Sequence, residues 1–250
     1  MIQKLLILSL LLLALLSCNQ SKTQPNDFES IQISGENDIS IRGDLYQLEK
    51  TSKPFVLLFH QAGYSRGEYR ETAPWLNKMG FSCLAIDQRS GNAVNGVENE
   101  TYKQAKSMGL DTDYVSALPD LRSAIEYVQN ELGQKEIILV GSSYSAALVF
   151  ILATEYPDKV KGLAAFSPGE YFKYNGKKMT SYAANVSCPV FITSAAKEKK
   201  HWEEIYDALK SEKNYFLPDS NGFHGSQALW SKNKGYKAYR KVFKEFLDQY

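Results

Sequence analysis

The sequence predicts an α/β domain, a doubly wound and mostly parallel sheet with helices on both faces, and three observations lead there. Six short apolar runs are continuous rather than alternating, namely Phe55 to Phe59, Cys83 to Ile86, Ile137 to Val140, Leu163 to Phe166, Val190 to Thr193 and Tyr215 to Leu217. Strands covered on both faces read this way. Between the runs, apolar residues recur at three- and four-residue steps, the period of helices that bury one side. The chain has 250 residues, 44% of them hydrophobic, enough for one sizeable core and one domain.

Taken in order, the N-terminus is a targeting segment: Lys4 precedes the apolar stretch Leu5 to Leu16, too short for a membrane span of about 20 residues. Leu15-Leu16-Ser17-Cys18 resembles the bacterial lipobox. Residues 1–17 are therefore expected to be a lipoprotein signal peptide, and Cys18 the lipidated residue that anchors the chain to the cell envelope, with the domain facing the periplasm. Asn19 to Asp27 lacks aliphatic residues and reads as a tether, which leaves 28–250 as the domain.

Phe28 to Ser34 and Ile39 to Leu48 alternate in part, with Gly35-Glu36-Asn37-Asp38 between them, and predict an opening antiparallel hairpin. The first apolar run follows Lys53-Pro54. Helices are expected over Tyr69 to Met79, around Leu118, Leu121, Ile125, Val128 and Leu132, over Ser145 to Tyr156, around Trp202 to Leu209, and from Tyr236 to Tyr250. Pro119 starts or kinks the second of these, Gly133 closes it, and Pro157 stops the third. Ser90 to Gly109 is the longest irregular stretch, either a functional loop or a mobile excursion. With 29 Lys and Arg against 28 Asp and Glu, nothing favours nucleic acid, whose affinity rests on neutralised phosphates.

The chemistry is expected where the third run passes into a helix: Gly141-Ser142-Ser143-Tyr144-Ser145 fits G-x-S-x-G except at its last position. A serine on such a sharp turn needs small neighbours, because strand and helix approach closely there. Ser143 is the candidate nucleophile. His224, in the loop after the last run, is the candidate base; His201 sits on a polar helix start and reads as a solvated residue. The acid should follow the penultimate run, which favours Glu198, with Glu170 the alternative and Asp219 a third candidate. The backbone N–H groups of Tyr144 and Ala62 are the candidate oxyanion donors. His60 is expected to brace the Ala62 loop by hydrogen bonding.

Together, His60-Gln61-Ala62-Gly63, Arg66-Gly67-Glu68-Tyr69, Asp87-Gln88-Arg89, the Ser143 turn, Glu198 and His224 resemble the α/β-hydrolase superfamily, in its dienelactone-hydrolase-like and small serine esterase branch. The resemblance covers Phe28 to Tyr250. It implies an eight-stranded sheet in the order 1-2-4-3-5-6-7-8 and a serine hydrolase acting on a small ester or other acyl substrate, with no cofactor and no metal. A peptidase, a deacetylase or a non-catalytic binding lipoprotein on the same scaffold are the alternatives. Two departures stand out, Ser145 for glycine and glutamate for the commoner aspartate. In that strand order Cys83 and Cys188 are four spacings apart, about 19 Å, beyond the roughly 7 Å a disulfide spans, so both are expected as free thiols. Only Tyr171 to Ser187 is available where the family inserts a lid, which implies an open site flanked by Tyr144, Tyr64, Phe223 and the Ser90 to Gly109 loop.

Overall fold

The computed structural model describes residues 28–250, so the expected signal peptide, Cys18 and the whole tether lie outside the described residues. The opening hairpin is β1 (Glu29–Ser34) and β2 (Ser40–Tyr46). The six apolar runs become β3 (Phe55–Phe59), β4 (Cys83–Ile86), β5 (Ile137–Ser142), β6 (Val160–Phe166), β7 (Val190–Thr193) and β8 (Lys213–Phe216). Three of the six match the expected spans residue for residue; β5 and β6 run longer, and β8 sits two residues earlier than Tyr215.

These strands form one eight-stranded sheet in the order β1-β2-β4-β3-β5-β6-β7-β8. Only β2 runs against the others. Successive residues of the central strands serve opposite faces: Phe55, Leu57 and Phe59 enter one apolar layer, Val56 and Leu58 the other. That is why these runs are continuous rather than alternating.

The first layer is closed by α3 (Leu118–Asn130), α4 (Tyr144–Glu155), the short α5 (Met179–Ala183) and α6 (Glu203–Ala208). The second is closed by α1 (Thr72–Lys78) and α7 (Tyr236–Leu247). Pro119 lies in the first turn of α3, Gly133 beyond its end has φ 66°, and α4 is buried from Tyr144 to Ala153. The helix expected over Tyr69 to Met79 is shorter, preceded by a separate 3-10 turn at Arg66–Tyr69. Cys83 and Cys188 are buried free thiols, and burial pushes Cys188 up to about 12.

Ser90 to Gly109 is an ordered element. Ala93–Val94 and Val97–Glu98 pair as a small ribbon around Asn95-Gly96, both with positive φ, and α2 (Glu100–Ser107) follows. Asn99 starts that helix, its side-chain oxygen accepting from the Tyr102 N–H at 2.7 Å. Among the described residues no helix is long and apolar enough to cross a membrane.

Candidate active site

The site lies at the carboxyl ends of β3, β5, β6 and β7, where open α/β sheets present their loops. Ser143 follows β5 with φ 58° and ψ −120°, a conformation non-glycine residues adopt only under constraint. The constraint is visible: the Ser143 N–H donates to the Phe166 carbonyl at 2.8 Å, and its own carbonyl accepts from the Ala146 N–H at 2.9 Å. A Cβ on Gly141 would come within 2.5 Å of the Ser145 carbonyl and 2.6 Å of the Ala146 Cα. The turn therefore requires glycine there.

Ser143 Oγ stands 2.8 Å from His224 Nε2, and His224 Nδ1 stands 2.9 Å from Glu198 Oε1. Glu198 Oε2 accepts from the Ser167 hydroxyl at 2.6 Å and the Ala195 N–H at 3.3 Å. Partial burial raises the Glu198 carboxyl; the hydrogen bonds from His224 and Ser167, the His224 charge and the Ala195 N–H outweigh it and leave the group below its ordinary value. Ser167 also accepts from the Gly225 N–H at 2.8 Å, which ties the acid to the histidine loop.

The alternative acids are elsewhere. Glu170 accepts from the Met179 and Thr180 N–H groups at 2.7 and 2.9 Å, capping α5, and Asp219 is exposed. His201 is exposed as expected, on the wall of the cleft.

His60 is buried, with the pKa lowered to about 4 chiefly by desolvation. Its Nε2 accepts from the Gln88 N–H at 3.0 Å, so Nδ1 carries the proton and donates to the Gln61 carbonyl at 2.8 Å. Asn99 reaches the same imidazole at 3.2 Å and the Gln88 and Tyr64 carbonyls at 2.9 and 3.2 Å. The Ser90 to Gly109 segment thus braces the loop bearing Ala62. Among the described residues, neither the Ala62 nor the Tyr144 N–H donates to another protein group.

Ser145 is more than a substitute for glycine. Its hydroxyl donates to the His60 carbonyl and accepts from Gln88 Nε2 at 2.7 Å, joining α4 to the Ala62 loop. Asp87-Gln88-Arg89 divides its work: Asp87 pairs with Arg66 at 2.6 Å, Gln88 joins His60 to Tyr144 and Ser145, and Arg89 pairs with Asp120 of α3 at 2.6 Å.

The expected flanks need correction. Tyr144 is fully buried, its hydroxyl donating to the Ser90 carbonyl at 2.9 Å, and Ser90 to Gly109 packs behind the Ala62 loop instead of lining the opening. A cleft of about 620 Å³ beside His224 is lined instead by Pro168 to Tyr171 and by Lys197, Glu198, Lys200, His201 and Glu204. Tyr114, which no sequence motif marks, stacks on Tyr144 at 4.6 Å and meets Tyr171 edge-on at 6.4 Å.

Residues 50–215 match the family described as "Serine aminopeptidase, S33". The chain belongs to this serine aminopeptidase family. It is a hydrolase with the α/β-hydrolase fold. Solved structures share this architecture at low identity. Dienelactone hydrolase from Anabaena variabilis superposes with a TM-score of 0.70 at 16% identity, covering 89% of this chain and 97% of that one. For an esterase of Pyrococcus furiosus the values are 0.66, 16%, 89% and 92%. For the proline iminopeptidase of Mycobacterium smegmatis they are 0.61, 13%, 88% and 98%. Pig bifunctional epoxide hydrolase 2 is 28% identical over 124 residues, 49% of this chain but 20% of that protein. The matched stretch thus spans about a fifth of that relative.

Proposed function

We propose that this hydrolase cleaves small carboxylic esters through an acyl-enzyme formed on Ser143. Ser143 Oγ attacks the carbonyl carbon while His224 Nε2 takes its proton; Glu198 holds the Nδ1–H and stabilises the imidazolium. The Tyr144 and Ala62 N–H groups receive the oxyanion, at the start of α4 and on the braced loop. The alcohol leaves with the proton from Nε2, and a water, deprotonated by the same nitrogen, releases the acid and regenerates Ser143.

The observation that carries this reading is the unbroken pair of contacts Ser143–His224–Glu198, at 2.8 and 2.9 Å. The segment between β6 and β7 holds only the five-residue α5, no large lid. Tyr171 and Tyr114, 39% and 38% exposed, offer apolar ring surface beside the nucleophile, which suits compact esters with a flat or apolar group. A second reading, aminopeptidase activity, is favoured by the family match and by Glu204 in the cleft, a carboxylate suited to a substrate ammonium.

Anchoring to the cell envelope through a lipid on Cys18 is inferred from the sequence alone. The catalytic reading is tested by kcat on p-nitrophenyl acetate and on aminoacyl p-nitroanilides. We expect ester turnover that is lost in Ser143→Ala, falls about 10³ to 10⁴-fold in Glu198→Gln, and is unchanged in Glu170→Gln. Full turnover in Glu198→Gln would move the acid elsewhere, and anilide turnover exceeding ester turnover would favour the second reading.

A further inference from the structure

We propose that Glu68 is a positioning residue for this reaction, its buried carboxylate holding the oxyanion loop, the nucleophile turn and the histidine loop in register; the proposal rests on the Ser143–His224–Glu198 reading above. Glu68 is fully buried. Its Oε2 accepts from the Gln61 N–H at 2.7 Å, next to Ala62. Its Oε1 accepts from the hydroxyl of Ser142, next to Ser143, at 2.7 Å, and from the hydroxyl of Ser226, two residues beyond His224, at 2.6 Å. The Ser226 N–H closes the figure by donating to Ser142 Oγ at 2.8 Å. Three loops, each carrying one part of the site, therefore meet on one carboxylate.

Burial raises the Glu68 carboxyl above its ordinary value, and the hydrogen bonds from Ser226, Gln61 and Ser142 oppose that rise; both oxygens act as acceptors here, which the NH2 end of an amide cannot do. Among the described residues Glu68 has no cationic partner; Arg66 is committed to Asp44, Asp87 and Glu100. A buried charge without a cation is costly unless hydrogen-bonded, so this one depends on its three donors as they depend on it.

Its own placement is set from outside the site. The 3-10 turn Arg66–Tyr69 is fixed by the Arg66 pairs, by the Tyr69 hydroxyl on the Phe59 carbonyl at 2.7 Å and by Trp230 Nε1 on the Glu68 carbonyl at 2.8 Å. A Cβ on Gly67 would come within 2.4 Å of the Val94 carbonyl, which keeps the turn tight against the ribbon. Glu68 is therefore a fixed point against which three loops are aligned.

The test is kcat and KM of the full chain on p-nitrophenyl acetate, alongside near-UV circular dichroism and thermal melting. Glu68→Gln should fold, lower kcat by at least about tenfold, the scale of a sub-ångström misplacement, and leave KM nearly unchanged. A role in stability alone would lower Tm but keep kcat below the transition, and that result overturns the proposal. If Glu68→Gln does not fold, Ser226→Ala decides, since it removes one hydroxyl only: a severalfold loss in kcat at constant KM supports the proposal, and an unchanged kcat overturns it. Ser143→Ala in the same assay separates the two claims. Turnover that survives in Ser143→Ala sinks the nucleophile reading and this one with it; turnover lost there but kept in Glu68→Gln sinks this one alone.

Discussion

His60 is buried without charge beside the candidate site, and that sets a pH dependence. Desolvation lowers it from 6.5 to about 4. Between those values the unfolded chain binds a proton that the folded one refuses, so stability rises with pH across this window and falls on acidification. Chemical denaturation of wild type and His60→Asn at pH 7 and pH 4 should therefore show wild type losing about 3 kcal/mol more than the variant on acidification. Parallel curves would mean that His60 is charged in the fold or that its bonds are made otherwise. At the same scale, the buried Ser143 combines positive φ with contact to His224, strain of the kind that clusters at functional sites.

The turn between β5 and α4 changes the reading of its last small residue. Ser145 departs from the glycine of the family pattern, and glycine would be expected to fit there. The structure adds a reason for the hydroxyl, since it bonds the His60 carbonyl and Gln88 across to the Ala62 loop. Ser145→Gly should therefore fold but lose roughly 1–3 kcal/mol, the cost of leaving buried polar groups unpaired, measurable as a lower urea midpoint at constant m-value. An unchanged midpoint would show that those groups find other partners. The Ser90 to Gly109 segment teaches a related lesson. Its signals were present in Asn95-Gly96 and in Asn99 as a helix start, but they are short-range and polar, and the contacts that make the segment rigid reach His60 and Gln88, far away in sequence.

At the scale of the whole molecule, what was readable from sequence is what periodicity and chain order dictate. The apolar runs located the parallel strands because both faces of each are buried, and Ser143, Glu198 and His224, whose side chains meet in the fold, are the candidates that motif and order along the chain mark. Glu68 and Ser142 lie within the quoted motifs and Ser167 and Ser226 outside them, but the contacts of all four carry no signal until folding brings four loops to one edge of the sheet. Tyr114 and Tyr171 are unmarked for the same reason. The open cleft follows from chain length, only 23 residues separating Phe166 from Val190. The sheet, the strained turn and the buried network all converge on one oxygen atom, Ser143 Oγ. Its reactivity is measured most directly by incubating the folded chain with a fluorophosphonate probe and mapping the adduct by peptide mass spectrometry: the account predicts one covalent adduct on Ser143, absent from Ser143→Ala and slowed in His224→Ala, and a folded wild-type chain that stays unlabelled would contradict it.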